Sequence, residues 1–479
     1  MKMRIIKVGR NDPCPCGKKK EGGKPIKYKK CCELKDIKDR KHKVEISISR
    51  KDFIGSPYTE CPQCKENTFG VFVDAHSARS YNKECTECSY AMNYKLPKIK
   101  KRVIYLDQFV FDNIVKSLDK THPKNKTILK DPFWIDLYKK LEIVCRAQLV
   151  VFPDSFFHRD ESAPTGYFDS VRRIYEHFSG GITFYNHDQI LEQQICEHFE
   201  SFLVNKAEIT PQTLPENIVF GRELHEWHSR MRISVGGKPK EEQIEETQKS
   251  KKETYQRFLE VFNRWKTEKH KKFEDWYNEE SEGFAKGTFL AIQNFATRRA
   301  TLAERFLQTG EVDLNDVFPP SSLHLIESMQ RVASKHGIND EPEVMRRIGS
   351  YLFSKNLDYI PSLRIGTLLY AALASQAANG RLNPPSEGVS TDVSMISSFM
   401  PYCEAIFVDN ENANLLSDGR VKIRLGCNTK VFSLKSKEEF LIYLDDIVKK
   451  ASPEHLQFVE QVYGKNWRIP YLTILDHKD

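Results

Sequence analysis

Three aspartates stand where the chain changes from one element to the next. Val103-Ile104-Tyr105-Leu106 is an apolar run that stops at Asp107, and Ala405-Ile406-Phe407-Val408 is another that stops at Asp409. Runs of this kind suit strands of a parallel sheet, buried on both faces. Two such strands would bring both carboxylates to one carboxyl edge, where open α/β sheets place their sites. Asp392 opens a helical stretch in which Val393, Ile396, Phe399 and Met400 share a side. Ser390 or Thr391 can cap that helix, and Pro401 breaks it. Carboxylates gathered at one edge repel unless a cation neutralises them. Mg²⁺ or Mn²⁺ takes such hard oxygen ligands, and can activate water and stabilise charge on a phosphodiester. Taken singly, each Asp also reads as a plain helix cap or turn residue.

The cysteines point to a second kind of metal. Eight of the twelve precede residue 90. Cys14, Cys16, Cys31 and Cys32 make one possible set of four thiolates. Cys61-Pro62-Gln63-Cys64 and Cys85-Thr86-Glu87-Cys88 make another, with twenty residues between the two pairs. Four soft ligands close a tetrahedral zinc site, so two structural Zn²⁺ are expected. Cys145, Cys196, Cys403 and Cys427 are isolated and read as ordinary buried thiols.

Charge separates the two ends of the chain. Residues 1–102 hold 26 Lys and Arg against 12 Asp and Glu, a balance of +14; the whole chain carries +8, so the remainder carries −6. A basic arm beside a mildly acidic body fits a polyanionic partner such as nucleic acid. No apolar run approaches the roughly 20 residues that span a bilayer. Met1–Arg10 lacks an apolar stretch of signal-peptide length. A cytoplasmic protein with no membrane partner is the expectation. The chain has no Walker loop, no G-x-G-x-x-G and no H-E-x-x-H.

The elements that would position these residues follow from periodicity. Strands are expected at 68–73 and 90–96 around the second cysteine set, and at 44–48 before it. The body starts with strand 103–106 and a helix over 109–118. A helix at 132–146, a strand at 149–152 and the turn Phe156-Phe157-His158-Arg159-Asp160-Glu161 follow, then helix to Phe178, strand 182–185 and a helix from His187. Residues 241–279, 288–307, 323–336, 342–354 and 362–378 read as helices. Tyr255, Phe258, Phe262, Trp265, Phe273 and Trp276 give this region an aromatic face interleaved with cations. Such a face could stack bases, but more often fills a helix-bundle core. Strands 421–423 and 431–434 and an amphipathic helix over 438–450 close the body.

G-R-N-D-P-C-P-C-G and K-Y-K-K-C-C, at 9–17 and 27–32, resemble the SEC-C zinc motif, with a longer spacer than that family's. V-I-Y-L-D and D-V-S-M-I-S-S-F-M-P-Y-C-E-A-I-F-V-D resemble the PIN nuclease superfamily over 103–200 and 385–448. That resemblance implies a metal-dependent nuclease, an endoribonuclease first, with Asp107, Asp392 and Asp409 as acidic positions. It adds a fourth acid on the helix after the second strand. Glu161 is the best match, ahead of Asp160 and Asp169, and Glu404 could also face the site. His158 and Arg159 would then contact substrate phosphate. The fold expectation is α/β: a PIN-like parallel-sheet domain with a large α-helical insert, preceded by small zinc-binding modules. Its divisions are 1–40 (SEC-C-like), 41–102 (zinc ribbon and basic hinge), 103–200 and 385–479 (the two parts of the PIN-like domain, with the tail) and 201–384 (the insert). RNA is the expected partner, with a ribosome or protein docked through the zinc modules. Family habit suggests a bacterial stress or phage-defence effector. The rival expectation is a non-catalytic, zinc-dependent nucleic-acid-binding or docking adaptor.

Overall fold

The computed structural model describes Pro25, Lys27 and residues 54–77, 79–206, 208–228, 238–309 and 318–475. The Cys14, Cys16, Cys31 and Cys32 set and the strand expected at 44–48 lie outside these. From Ser56 onward the chain forms one compact unit.

Strands β1 (Ile54–Thr59), β2 (Phe69–Ser77), β3 (Ser80–Cys85) and β4 (Ala91–Lys95) form a small sheet in that order, antiparallel from β2 to β4. This module is fixed to the body. Val71, Tyr81 and Leu96 share an apolar cluster with Trp227, Val459 and Trp467, and the Trp227 indole donates to the Pro97 carbonyl at 2.9 Å.

The body alternates strands and helices. It runs β5 (Arg102–Leu106), α1 (Gln108–Leu118), α2 (Phe133–Arg146), β6 (Val150–Val151), α3 (Phe156–Ser162), α4 (Phe168–Ser179), β7 (Thr183–Phe184), α5 (His187–Leu203) and β8 (Val219–Phe220). Five helices follow: α6 (Glu241–Thr267), α7 (Phe273–Thr309), α8 (Ser321–Lys335), α9 (Glu341–Leu352) and α10 (Pro361–Ala378). The chain then returns through α11 (Val389–Phe399), β9 (Ala405–Phe407), α12 (Asn410–Ser417), β10 (Lys430–Phe432), α13 (Lys437–Lys449) and α14 (Pro453–Tyr463).

The central sheet has the order β10-β9-β5-β6, with every neighbouring pair parallel. A parallel bridge from Asp154 to Thr183 sets β7 beside β6, and β8 pairs antiparallel with β7. Successive side chains of a strand face opposite ways, and both faces of β5 are covered. Val103 and Tyr105 join a core with Ile406 and residues of α6, α7, α10 and α11. Ile104 and Leu106 join a second core with Phe407 and residues of α1, α2, α4 and α13. The expected parallel sheet is therefore present, and its two-sided burial explains its unbroken apolar strands.

Residues 201–384 do not stand apart from this sheet. α10 packs against α6, α7 and α11 and supplies one face of the core. The aromatic face is core: Phe262, Trp265 and Trp276 are each no more than 1% exposed. Some local expectations fail. The helix expected over 241–279 is broken at 268–272 and resumes at Phe273. Residues 421–423 are not a strand: Asp418 accepts from the Arg420 N–H and starts a short helix, Gly419–Lys422. Neither Ser390 nor Thr391 caps α11: both lie in its first turn, which begins at Val389 after Gly388.

Trp276 is fully enclosed where α7 meets the sheet core. Trp276→Ala should lower stability by about 3–5 kcal/mol, the usual cost of emptying a large aromatic site. A denaturant midpoint within error of the parent protein would contradict this core assignment.

Candidate functional site

The register of the sheet aligns the two strand-ending aspartates. Leu106 lies opposite Phe407, and the Asp107 N–H donates to the Phe407 carbonyl at 3.0 Å. Asp107 and Asp409 therefore leave the sheet at the same carboxyl edge. From β5 the chain passes to β6 on one side, and from β9 it passes to β10 on the other. The strand order reverses between β5 and β9, and a crevice opens at such a switch point. Asp392 sits in the first turn of α11, and Glu161 in the last turn of α3.

The other carboxylates act on Asp107 and Asp392. Burial pushes the Asp107 carboxyl well above its usual range, and the charges of Asp392, Glu161 and Asp409 push the same way. Burial, then Glu161 and Asp409, raise Asp392 to about 7, although the Asn412 amide favours its charged form. Glu161 is raised by burial and eased by Lys251 and His158. Asp409 is raised by burial too, against the N–H groups of Asn412 and Glu411.

Asp409 keeps its plainer role as well. It caps α12, with Oδ1 accepting the Asn412 N–H at 2.7 Å. Asp107 precedes α1 but makes no side-chain cap. The donor set suits a hard divalent cation, since it is all carboxylate oxygen. It is not a tight cage: no three of the four place oxygens within 4.8 Å of one another. Mg²⁺ keeps several waters and needs only one or two direct carboxylates, so a cation here would be held partly through water.

The other expected contacts fall elsewhere. His158 is 1% exposed, stacked between Tyr105 and Tyr175 at ring distances of 5.0 and 4.8 Å. Its Nε2 donates to the Leu106 carbonyl at 2.8 Å, and Nδ1 lies 3.5 Å from Asp154 Oδ1. The imidazole is sealed in the core, where a phosphate cannot reach it. It ties α3 to the end of β5 and so sets where Glu161 stands, one turn later. Arg159 is half exposed, but its guanidinium is paired with Asp154 at 2.7 Å. Glu404 precedes β9, at the opposite edge of the sheet, and is paired with Arg102. It does not face the carboxylates.

Sequence reasoning missed two neighbours. Asn412 is 2% exposed and hydrogen-bonds both Asp392 and Asp409. Its position three residues after a strand-ending Asp was the available signal. Lys251, on α6, acts on Glu161 and Asp160 through space. Nothing local marks it.

The second cysteine set forms a complete cluster. The Sγ atoms of Cys61, Cys64, Cys85 and Cys88 all lie within 4.8 Å of one another, with 3.6 Å for the Cys61–Cys88 and Cys64–Cys85 pairs. A tetrahedron with Zn–S bonds of about 2.3 Å has edges of about 3.8 Å, so the cluster could hold zinc. Burial works against the Cys85 thiolate. The Thr68 hydroxyl and the N–H groups of Cys88 and Glu87 more than offset it, and bring Cys85 to about 6.

Two outcomes follow. Cys61→Ser should cost the protein one bound zinc by elemental analysis; unchanged zinc would contradict the cluster. For the carboxylates, a raised folded-state pKa means that the folded state binds more protons than the unfolded one. The metal-free protein should thus lose stability as pH rises from near 4 through about 7. Asp392→Asn should flatten that fall in melting temperature, and an unchanged pH slope would contradict the coupling. No family model, curated protein or solved structure matches this chain.

Proposed function

We propose that the protein is a divalent-metal-dependent nuclease of PIN-like design, acting on single-stranded RNA at the carboxyl edge of its parallel sheet. One observation carries this reading: four buried carboxylates from four elements lie near a topological switch point, and the charges of the others raise Asp107 and Asp392. Carboxyl groups held in this way are poorly placed for stability and well placed for a cation. When bound, Mg²⁺ or Mn²⁺ would lower the pKa of a water and stabilise charge on the phosphodiester.

Asp107 and Asp392 are the direct ligands in this reading. Asp409, with one oxygen committed to α12, uses the other. Glu161 orients the attacking water, and Lys251 favours its charged form against the effect of burial. Asn412 holds Asp392 and Asp409 in place. The cysteine-rich module binds zinc and docks on nucleic acid or on a larger RNA-containing assembly. The SEC-C-like arm, a cytoplasmic setting and a role in stress or phage defence belong to the same reading.

A non-catalytic RNA-binding adaptor is the reading that the open spacing of the carboxylates favours. Metal-dependent cleavage separates the two. Purified protein should cut single-stranded RNA with Mn²⁺ or Mg²⁺ and not with EDTA. Asp107→Asn should lower the rate by at least about 100-fold, beyond the 10–100-fold typical of changes outside the ligand shell. Full activity in Asp107→Asn would end the assignment. RNA binding without cleavage under any divalent ion would establish the adaptor.

A further inference from the structure

The edge of the central sheet opposite the carboxylates is also built for a ligand. A cavity of about 540 Å³ opens at the starts of β5 and β10, roofed by the end of α13. A second, of about 640 Å³, lies between the β3–β4 hairpin and the segment around Glu223. Glu216 and His225 line both, so the two cavities adjoin, and we treat them as one groove. It leads from the zinc-type module onto the body. Packing of Val71, Tyr81 and Leu96 against Trp227 and Trp467 holds its two banks together.

The groove is positively charged in a specific way. Lys95, Lys98, Lys100, Lys430 and Lys450 line it and make no ion pair with a described residue. Most of its acids are already engaged. Glu404 pairs with Arg102, and Glu226 lies 3.8 Å from Arg79. Asp446 lies 3.8 Å from Lys449. The surplus therefore belongs to lysines on three separate stretches of chain. Lys430 Nζ also lies 4.5 Å over the Tyr443 ring, so an aromatic face and a cation stand together.

We propose that this groove binds the sugar–phosphate backbone of single-stranded nucleic acid. Unpaired lysines match phosphate charge, and a cation beside an aromatic ring suits a strand with unstacked bases. A cleft of this volume admits one strand, whereas a duplex presents its phosphates on a broad convex surface. An acidic protein segment would share the charge but would gain nothing from the tyrosine. The site stands apart from the catalytic reading, because it needs neither divalent metal nor the carboxylates.

The test is fluorescence anisotropy of the full-length protein with a labelled single-stranded RNA of about 20 nucleotides, in EDTA and across a salt series. The Lys100→Glu, Lys430→Glu, Lys450→Glu triple variant should bind at least about tenfold more weakly. Its salt slope should be shallower by about 2, as expected for three lost contacts to a single strand. The corresponding Lys→Gln variant should shift both in the same direction by less, with an unchanged circular-dichroism melt. Equal affinity and slope in parent and triple variant would overturn the proposal. So would displacement of the RNA by poly-glutamate at equal charge concentration, which would assign the groove to an acidic protein. Cleavage with Mn²⁺ is read separately, so its absence bears on the carboxylates alone.

Discussion

Repulsion between buried carboxylates is the constraint around which this molecule is arranged. Two unit charges 4 Å apart interact by roughly 4 kcal/mol at the effective dielectric of a protein surface. The charges of Asp392, Glu161 and Asp409 all act in this sense on Asp107, although no three of the four carboxylates place oxygens within 4.8 Å of one another. They come from the end of β5, the start of α11, the end of α3 and the end of β9. A fold selected for stability alone would keep these four ends apart or pair them with cations. Lys251 and His158 partly offset them, and both act on the Glu161 side. Sites that contradict local rules for stability are where function is to be sought.

Packing is what closes nearly 300 residues of chain between Asp107 and Asp392. α10 lies in the middle of one core face, and α6 and α7 bury their aromatic residues beside it. The helices of the 201–384 stretch thus cover the sheet that carries the carboxylates, and one of them delivers Lys251. His158 acts at the same junction from inside, joining α3 to β5. The two sheet edges have opposite chemistry. The carboxyl edge gathers acids, and the amino edge carries the unpaired lysines.

Much of this was legible in the chain. The apolar runs before Asp107 and Asp409 are strands because both faces of the sheet are covered, and a run without alternation reports that condition directly. The C-x-x-C pairs were legible because their spacing encodes two adjacent turns. Other features were not. Ile423 and Val421 looked strand-like, but the Asp418 cap next to them decided for a helix. His158 looked like a surface ligand, because no local pattern reveals the tyrosines that enclose it. Glu404 stands next to the second strand, but at its start, on the wrong edge. Lys251 comes near Glu161 only through tertiary packing, and sequence periodicity cannot report such proximity.

If the four carboxylates share a cation, the bound metal is seen most directly by anomalous diffraction from crystals of the protein soaked in Mn²⁺. A peak is expected at the carboxyl edge between β5 and β9, about 2.1–2.2 Å from oxygens of Asp107 or Asp392, with Glu161 or Asp409 reached directly or through water. An ordered carboxyl edge with no manganese peak at saturating Mn²⁺ would contradict a shared cation.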